Sequence, residues 1–101
     1  MEGGYVCAPK DVLNEDGTVN VFPLDARTRI AVAVIVTFCC ERGEGWAPFT
    51  YEAIDKFYMS QGFDGHFLFY DLTATHMIDL VGGFYQITPR FVSICYNARE
   101  R

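Results

Sequence analysis

Two histidines, His66 and His76, are the side chains of this sequence best suited to acid–base chemistry near neutral pH. His76 lies three residues before Asp79, and this spacing places both side chains on one face if the segment is helical. An imidazole held by a carboxylate is the arrangement of a general base. A His-Asp pair at this spacing is also common on helix surfaces, and no Ser or Cys in a strand-turn-helix context accompanies it. We therefore predict that the chain is not an enzyme.

The cysteines Cys7, Cys39, Cys40 and Cys95 are the other candidates for chemistry. Cys39 or Cys40 together with Cys95 and a histidine would supply thiolate and imidazole ligands for zinc. The sequence contains no Cys-x-x-Cys pair to position such ligands, so we expect free thiols and no metal. The Gly82-Gly83 pair belongs to no Gly-x-Gly-x-x-Gly or Walker pattern, and we predict no cofactor.

The apolar run Ile30–Cys40 shows where the core of the fold lies. It is shorter than the about 20 residues that a helix needs to cross a bilayer, so we predict a buried segment and no membrane contact. Larger residues at its even positions favour a strand that is buried on both faces. Asp25 or Thr28 at its start and Gly43 at its end would instead cap a helix. Both interpretations stay open, and the order of the later elements favours the helix.

Length and composition predict one domain that associates with itself. The 101 residues are 50% hydrophobic, and nine Phe and six Tyr are too many to be buried easily in so small a domain. We therefore predict a homodimer that associates through aromatic surface. Residues 1–24 are predicted to form an N-terminal β-hairpin or arm and residues 25–101 the core. Because the start of the sequence lacks the basic and apolar parts of a secretory signal, we expect a reducing, cytoplasmic location.

Turn and capping residues predict the order of the elements. Asp16-Gly17 is a favoured turn dipeptide between the β-prone runs Tyr5–Ala8 and Thr18–Phe22. Thr50 caps a helix that stops at Gly62. Three further elements complete the chain: a short helix capped by Thr73 or Thr75 and running through Val81 to Gly82-Gly83, a strand Phe84–Ile87, and a last helix Arg90–Arg99 opened by Pro89. The predicted fold class is α+β: a small single domain, mainly helical with a minor β-sheet.

The stretch Thr73–Val92 resembles part of the winged-helix superfamily. A leucine-containing helix end, Leu80-Val81, leads to glycines, then to the tyrosine-containing strand Phe84–Ile87 and to a Thr-Pro helix start. Ile30–Cys40 would be a first helix and Thr50–Gln61 a second. The resemblance implies DNA binding through the Thr73–Val81 helix and the Phe84–Ile87 wing.

The charge distribution favours protein contacts over DNA. The net charge is −5, and residues 41–81 carry two basic against seven acidic residues, whereas residues 82–101 carry three basic and one acidic. The presumed recognition helix contains Asp79 and neither Lys nor Arg. If DNA is bound, Arg90, Arg99 and Arg101 are the predicted phosphate contacts.

The aromatic cluster Trp46, Phe49 and Tyr51 is the candidate surface for a partner or a flat ligand, and packing over the edge of the core is the simpler interpretation.

The sequence as a whole leads to three hypotheses of function. The first is a non-enzymatic protein-interaction module, a homodimer with a further protein partner still to be identified. The second is a winged-helix DNA-binding regulator. The third is a small-molecule binder that uses His76, Asp79 and an aromatic pocket.

Overall fold

The computed structural model describes residues 7–20, 26–63 and 70–100, with residues 70, 71 and 98–100 described by their backbone only. These residues form a mainly helical α+β domain with a two-stranded antiparallel sheet, which confirms the predicted fold class. The elements in chain order are a 3-10 turn Pro9–Asp11, α1 Ala26–Arg42, α2 Tyr51–Ser60, α3 Tyr70–Ala74, β1 Ile78–Val81, β2 Phe84–Ile87 and α4 Pro89–Glu100. No helix within these ranges is long and apolar enough to cross a membrane.

The apolar run of the sequence is part of helix α1, so the strand interpretation is wrong and the helix is confirmed. The buried residues Val32, Ile35, Val36 and Cys39 follow helical spacing and lie in the core with little or no exposed surface. Gly43 ends the helix with a φ of 76°, and its N–H bonds the carbonyl of Cys39 at 3.2 Å. Packing on more than one side of α1 therefore outweighs the β-propensity of its valines.

Helix α2 begins and ends as its sequence predicts. The Thr50 hydroxyl accepts a hydrogen bond from the Ala53 N–H at 3.2 Å, which caps the first turn. Ile54 is fully buried, and Gly62 leaves the helix at a φ of 91°. The cap and the inward-facing residue together determine which face of α2 meets the core.

The prediction of a helix that is capped by Thr73 or Thr75 and runs through Val81 is wrong, because α3 ends at Ala74 and residues 78–81 form strand β1. β1 pairs with β2 in the register Ile78↔Ile87 to Val81↔Phe84. Gly82 and Gly83, interpreted from sequence as a helix stop, are instead the two-residue turn of a hairpin. Their φ values of 57° and 84° are both positive, as a type I′ turn requires. Four apolar residues are too few to distinguish a helix from a strand by periodicity, and the pairing with β2 decides the matter.

The N-terminal segment forms a tighter turn than predicted. Asp16-Gly17 is a turn, with Asp16 Oδ1 accepting from both the N–H and the hydroxyl of Thr18 at 3.0 and 2.6 Å. Val19, however, pairs with Leu13 in an isolated bridge, while Cys7 and Ala8 lead into the 3-10 turn. The remaining residues of the two predicted strands lie outside the described residues. Val19 thus pairs with Leu13, whereas the predicted hairpin would pair it with a residue of the run Tyr5–Ala8.

The sheet gains a third segment from the loop before α2. Phe49 and Tyr85 exchange two backbone hydrogen bonds, at 3.0 Å from the Phe49 N–H and 2.7 Å from the Tyr85 N–H. The hairpin is thereby attached to α2 on the β2 side. Thr88 connects the base of the hairpin to α4. Its N–H donates to the Met77 carbonyl, and its hydroxyl accepts a hydrogen bond from the Phe91 N–H at 3.3 Å. The base of the hairpin is therefore held in place from two directions.

Candidate interaction surface

The hairpin tip, defined here as Leu80, Val81 and Phe84, is the most apolar exposed surface in the part of the chain that the structure describes. Leu80 is 64% exposed, Val81 55% and Phe84 47%. Strand alternation and the pairing register place Leu80 on the face shared with the buried Ile78, and Val81 and Phe84 on the opposite face. The tip therefore projects beyond the core and presents apolar side chains on both faces of the sheet.

The polar residues around the tip carry no positive charge. Between His76 and Thr88 the sequence contains neither Lys nor Arg, and Asp79 is its one acidic residue. Asp79 lies opposite Gln86 on the face of Val81 and Phe84. This composition suits contact with another protein better than contact with phosphates.

Arg42 attaches the loop after α1 to the helix and so positions the third sheet segment. Its guanidinium donates to the carbonyls of Ala47 at 2.6 Å, Pro48 at 3.1 Å and Gly45 at 3.3 Å. The same group lies over the Phe38 ring at 5.2 Å. Arg42 Nε is buried without a hydrogen bond and approaches the exposed Glu44 carboxylate at 3.5 Å. The loop held in this way leads directly into Phe49, which pairs with the hairpin.

Two of the three predicted aromatic contact residues are buried, which corrects their assignment to a partner surface. Trp46 donates its indole N–H to the Cys7 carbonyl at 2.7 Å and packs edge-on against Phe91 at 5.8 Å. Phe49 is buried beside Phe38. Tyr51 is half-buried, with its ring 6.3 Å from that of Tyr85. Packing over the core edge therefore describes Trp46 and Phe49, and Tyr51 alone retains accessible surface near the hairpin.

His76 and Asp79 lie close together but not on a helix. His76 Nδ1 is 3.8 Å from Asp79 Oδ1, which is too far for a hydrogen bond, and the two side chains are 82% and 50% exposed. His76 also has a φ of 60°, a left-handed conformation that ends the turn after α3. In this structure the two side chains are solvent-exposed neighbours at the base of the hairpin.

The thiols are packed as small apolar groups. All four cysteines are free, and burial raises the pKa of Cys39 and of Cys95 to about 12. A thiol that stays protonated at neutral pH is a poor nucleophile and a poor metal ligand. Among the described residues no three His, Cys, Asp or Glu side chains lie together as a metal site. The absence of a metal remains a prediction.

The residues of the DNA alternative are only partly described. Arg90 is exposed in the first turn of α4, immediately after the sheet. The side chain of Arg99 and the whole of Arg101 lie outside the described residues. The structure thus places one of the three predicted phosphate contacts on the surface.

Sequence reasoning missed both Arg42 and the hairpin tip. A sequence signal for the tip exists, because Gly-Gly between Val81 and Phe84 is a hairpin turn when its flanks are read as strands. Nothing comparable marks Arg42, since its partners are backbone carbonyls. Comparison with protein-family models, with curated proteins and with solved structures finds no match.

Proposed function

We propose that this chain is a non-enzymatic protein-interaction module that forms a homodimer through the hairpin tip. The observation that carries the proposal is the clustering of exposed apolar side chains. Of the five large hydrophobic residues exposed in the described part of the chain, Leu80, Val81 and Phe84 lie within one hairpin. Their burial in an interface removes apolar surface from water.

The geometry of the hairpin supports a contact role because the tip is well positioned. The positive φ values of Gly82 and Gly83 match the twist of the strands, and the Phe49–Tyr85 bridge and Thr88 hold the base. Little conformational entropy is then lost when the tip is covered. The buried thiols of Cys39 and Cys95 also suit the reducing, cytoplasmic location that forms part of this proposal.

Sedimentation equilibrium over a wide range of protein concentrations tests the proposal. The wild-type chain is expected to approach twice the mass of one chain as the concentration rises. The double variant Leu80→Thr/Val81→Thr places β-branched residues with high strand propensity at both positions but removes apolar surface, so its dissociation constant should be at least about tenfold larger.

A matched control removes exposed apolar surface elsewhere. Met59 is exposed near the end of α2 and is not part of the hairpin, and Met59→Gln preserves helix propensity. This variant should dimerise as the wild type does. A wild-type chain that stays monomeric at every concentration, or a double variant that dimerises equally well, contradicts the proposal.

A winged-helix DNA-binding regulator is the second candidate, and one observation favours it. Helices α1 and α2 lie where the resemblance implies a first and a second helix, and α4 closes the chain, whereas the implied Thr73–Val81 recognition helix is replaced by the end of α3 at Ala74 and by strand β1. Its test is the fluorescence anisotropy of a labelled random duplex at low salt. Binding that collapses with salt and that weakens in Arg90→Ala and Arg99→Ala for all sequences alike would support this candidate. A flat anisotropy signal at low salt would exclude it.

A further inference from the structure

Cys7 and Cys95 come from opposite ends of the chain and lie near each other in the fold. Both side chains pack against the same hydrophobic core, Cys95 with 1% of its surface exposed and Cys7 half-buried. Burial and, to a lesser degree, the Cys7 thiol raise the pKa of Cys95 to about 12. Because the interaction between two charges weakens with distance, this influence identifies the two thiols as neighbours.

Trp46 joins the two segments that carry these thiols. Its indole N–H donates to the Cys7 carbonyl at 2.7 Å, and its ring packs edge-on against Phe91 at 5.8 Å. Phe91 and Cys95 lie about one turn apart on helix α4, and both are buried. The fold therefore holds the backbone of Cys7 beside the face of α4 that carries Cys95.

The two cysteines of α1 have other surroundings. Cys39 and Cys40 are consecutive residues of a helix, where side chains diverge by about 100° around the axis, so they do not pair with each other. The Cys39 sulfur lies 4.0 Å from the Arg42 guanidinium. Cys40 has a neighbour in common with Cys7, because the Asp11 carboxylate contributes to the raised pKa of both thiols. Cys40 is therefore the competing partner that an experiment must distinguish from Cys95.

We infer that Cys7 and Cys95 form a reversible intramolecular disulfide when the folded chain meets a small-molecule disulfide such as oxidised glutathione. Cys7 is half-buried, so its thiolate can attack one sulfur of the oxidant, and one glutathione leaves with the Cys7 proton. The Cys95 thiolate then attacks the Cys7 sulfur, and the second glutathione leaves with the Cys95 proton. The two cysteines lose two electrons and two protons, which reduce the oxidant to two glutathione molecules. The inference does not depend on the proposed dimer.

The surroundings of the two thiols make this exchange slow at neutral pH. Burial and, to a lesser degree, the Asp11 carboxylate raise the pKa of Cys7, so only a small fraction of it is thiolate. Cys95 is ionised even less, but it needs to reach only the neighbouring Cys7 sulfur, so its effective concentration is high. The rate of linkage should therefore rise about tenfold per pH unit from about pH 7 to pH 8.5.

Peptide mapping of the oxidised chain tests the pairing. Trypsin separates the cysteines into three peptides: residues 1–10 with Cys7, residues 30–42 with Cys39 and Cys40, and residues 91–99 with Cys95. The folded wild-type chain, incubated with oxidised glutathione and quenched with iodoacetamide, should contain at least about tenfold more link between 1–10 and 91–99 than between 1–10 and 30–42. The same incubation in urea that unfolds the chain should reverse this preference, because shorter loops close more readily.

Two variants with a matched change separate the alternatives. Cys7→Ser should abolish the link, whereas Cys40→Ser, which also alters a half-buried cysteine, should retain it. Oxidation should also raise the urea concentration at which the wild-type chain unfolds, because the link closes a loop over nearly the whole chain. Oxidised and reduced Cys7→Ser should unfold at the same urea concentration.

Several results would overturn the inference. These are an oxidised chain that contains only free thiols, glutathione that stays on Cys7 without transfer to Cys95, and a predominant link from Cys7 to residues 30–42. Loss of the link in Cys40→Ser would overturn it as well. Sedimentation in a reducing agent tests the proposed dimer separately, so the failure of one proposal does not affect the other.

Discussion

Replacement of Arg42 by Met should destabilise the fold more than any other single change of a charged residue in α1. Met keeps an apolar stem over Phe38 but loses the three donors to the loop carbonyls. A hydrogen bond to a charged group contributes about 1.5–3 kcal/mol. We take the lower value for the 2.6 Å bond to Ala47 and half of it for the two longer bonds, because these are less well formed. The expected loss is then about 3 kcal/mol in the free energy of unfolding.

A loss of this size is readily measured. Small domains are stable by about 5–15 kcal/mol, and for a chain of this length 3 kcal/mol corresponds to a fall of roughly 12–24 °C in Tm. Urea unfolding followed by Trp46 fluorescence, at concentrations too low for dimerisation, gives the free energy. Hydrogen exchange of the Phe49 amide reports the local effect, because this amide bonds Tyr85 across the sheet. Both quantities should change together in Arg42→Met.

The control is Arg29→Met, which removes the same charge from an exposed position of the same helix. It should change the free energy of unfolding by less than about 0.5 kcal/mol. Arg42→Lys keeps the charge but offers a compact ammonium in place of the planar fork, so its stability should fall between those of the wild type and Arg42→Met. Equal stability of Arg42→Met and Arg29→Met would refute the role assigned to Arg42.

Three further predictions concern stability. Burial raises the pKa of Cys39 and Cys95 from 9.0 to about 12 in the folded chain, so above pH 9 the unfolded chain binds fewer protons. Between pH 9 and 12 under reducing conditions, stability should then fall by about 1.4 kcal/mol per pH unit for each of these two thiols, and urea unfolding of Cys95→Ala should lack the contribution of Cys95 to this slope. His76→Val should lower the free energy of unfolding by about 1 kcal/mol and His76→Gly should not, because the φ of 60° suits glycine. Thr50→Ala should cost about 1 kcal/mol by the loss of the cap on the Ala53 N–H, and Thr50→Ser should cost less, both by the same assay.

Each of these predictions has an outcome that contradicts it. A stability that is independent of pH above 9 would show that the two thiols ionise in the folded chain. A His76→Val variant as stable as the wild type would mean that the backbone at this position relaxes. If Thr50→Ala unfolds at the same urea concentration as Thr50→Ser, the cap does not stabilise α2.

Local signals in the sequence were sufficient for some elements. Thr50 and Gly62 delimit α2 because capping and helix termination depend on neighbouring residues alone. Pro89 marks the start of α4 for the same reason, since its missing N–H would have no helical partner in the first turn. The class of the fold follows from these elements and from the apolar content. Of the predicted site residues, Tyr51, His76 and Asp79 keep exposed surface, but none of them belongs to the hairpin tip.

Tertiary pairing decided which residues form the hairpin and which aromatic residues are buried. Residues 78–81 satisfy a short helix or a strand equally well by pattern, and only β2 opposite them makes the strand. The residue types of Trp46 and Phe49 do not show whether their side chains are buried or exposed. Contacts with Cys7 and Tyr85, which are distant in sequence, bury them. Hydrogen-bond partners and burial between distant segments are properties of the folded chain, and no local pattern encodes them. The sequence by itself thus determined α2 with its cap and the start of α4, whereas the tertiary structure determined which apolar residues remain exposed.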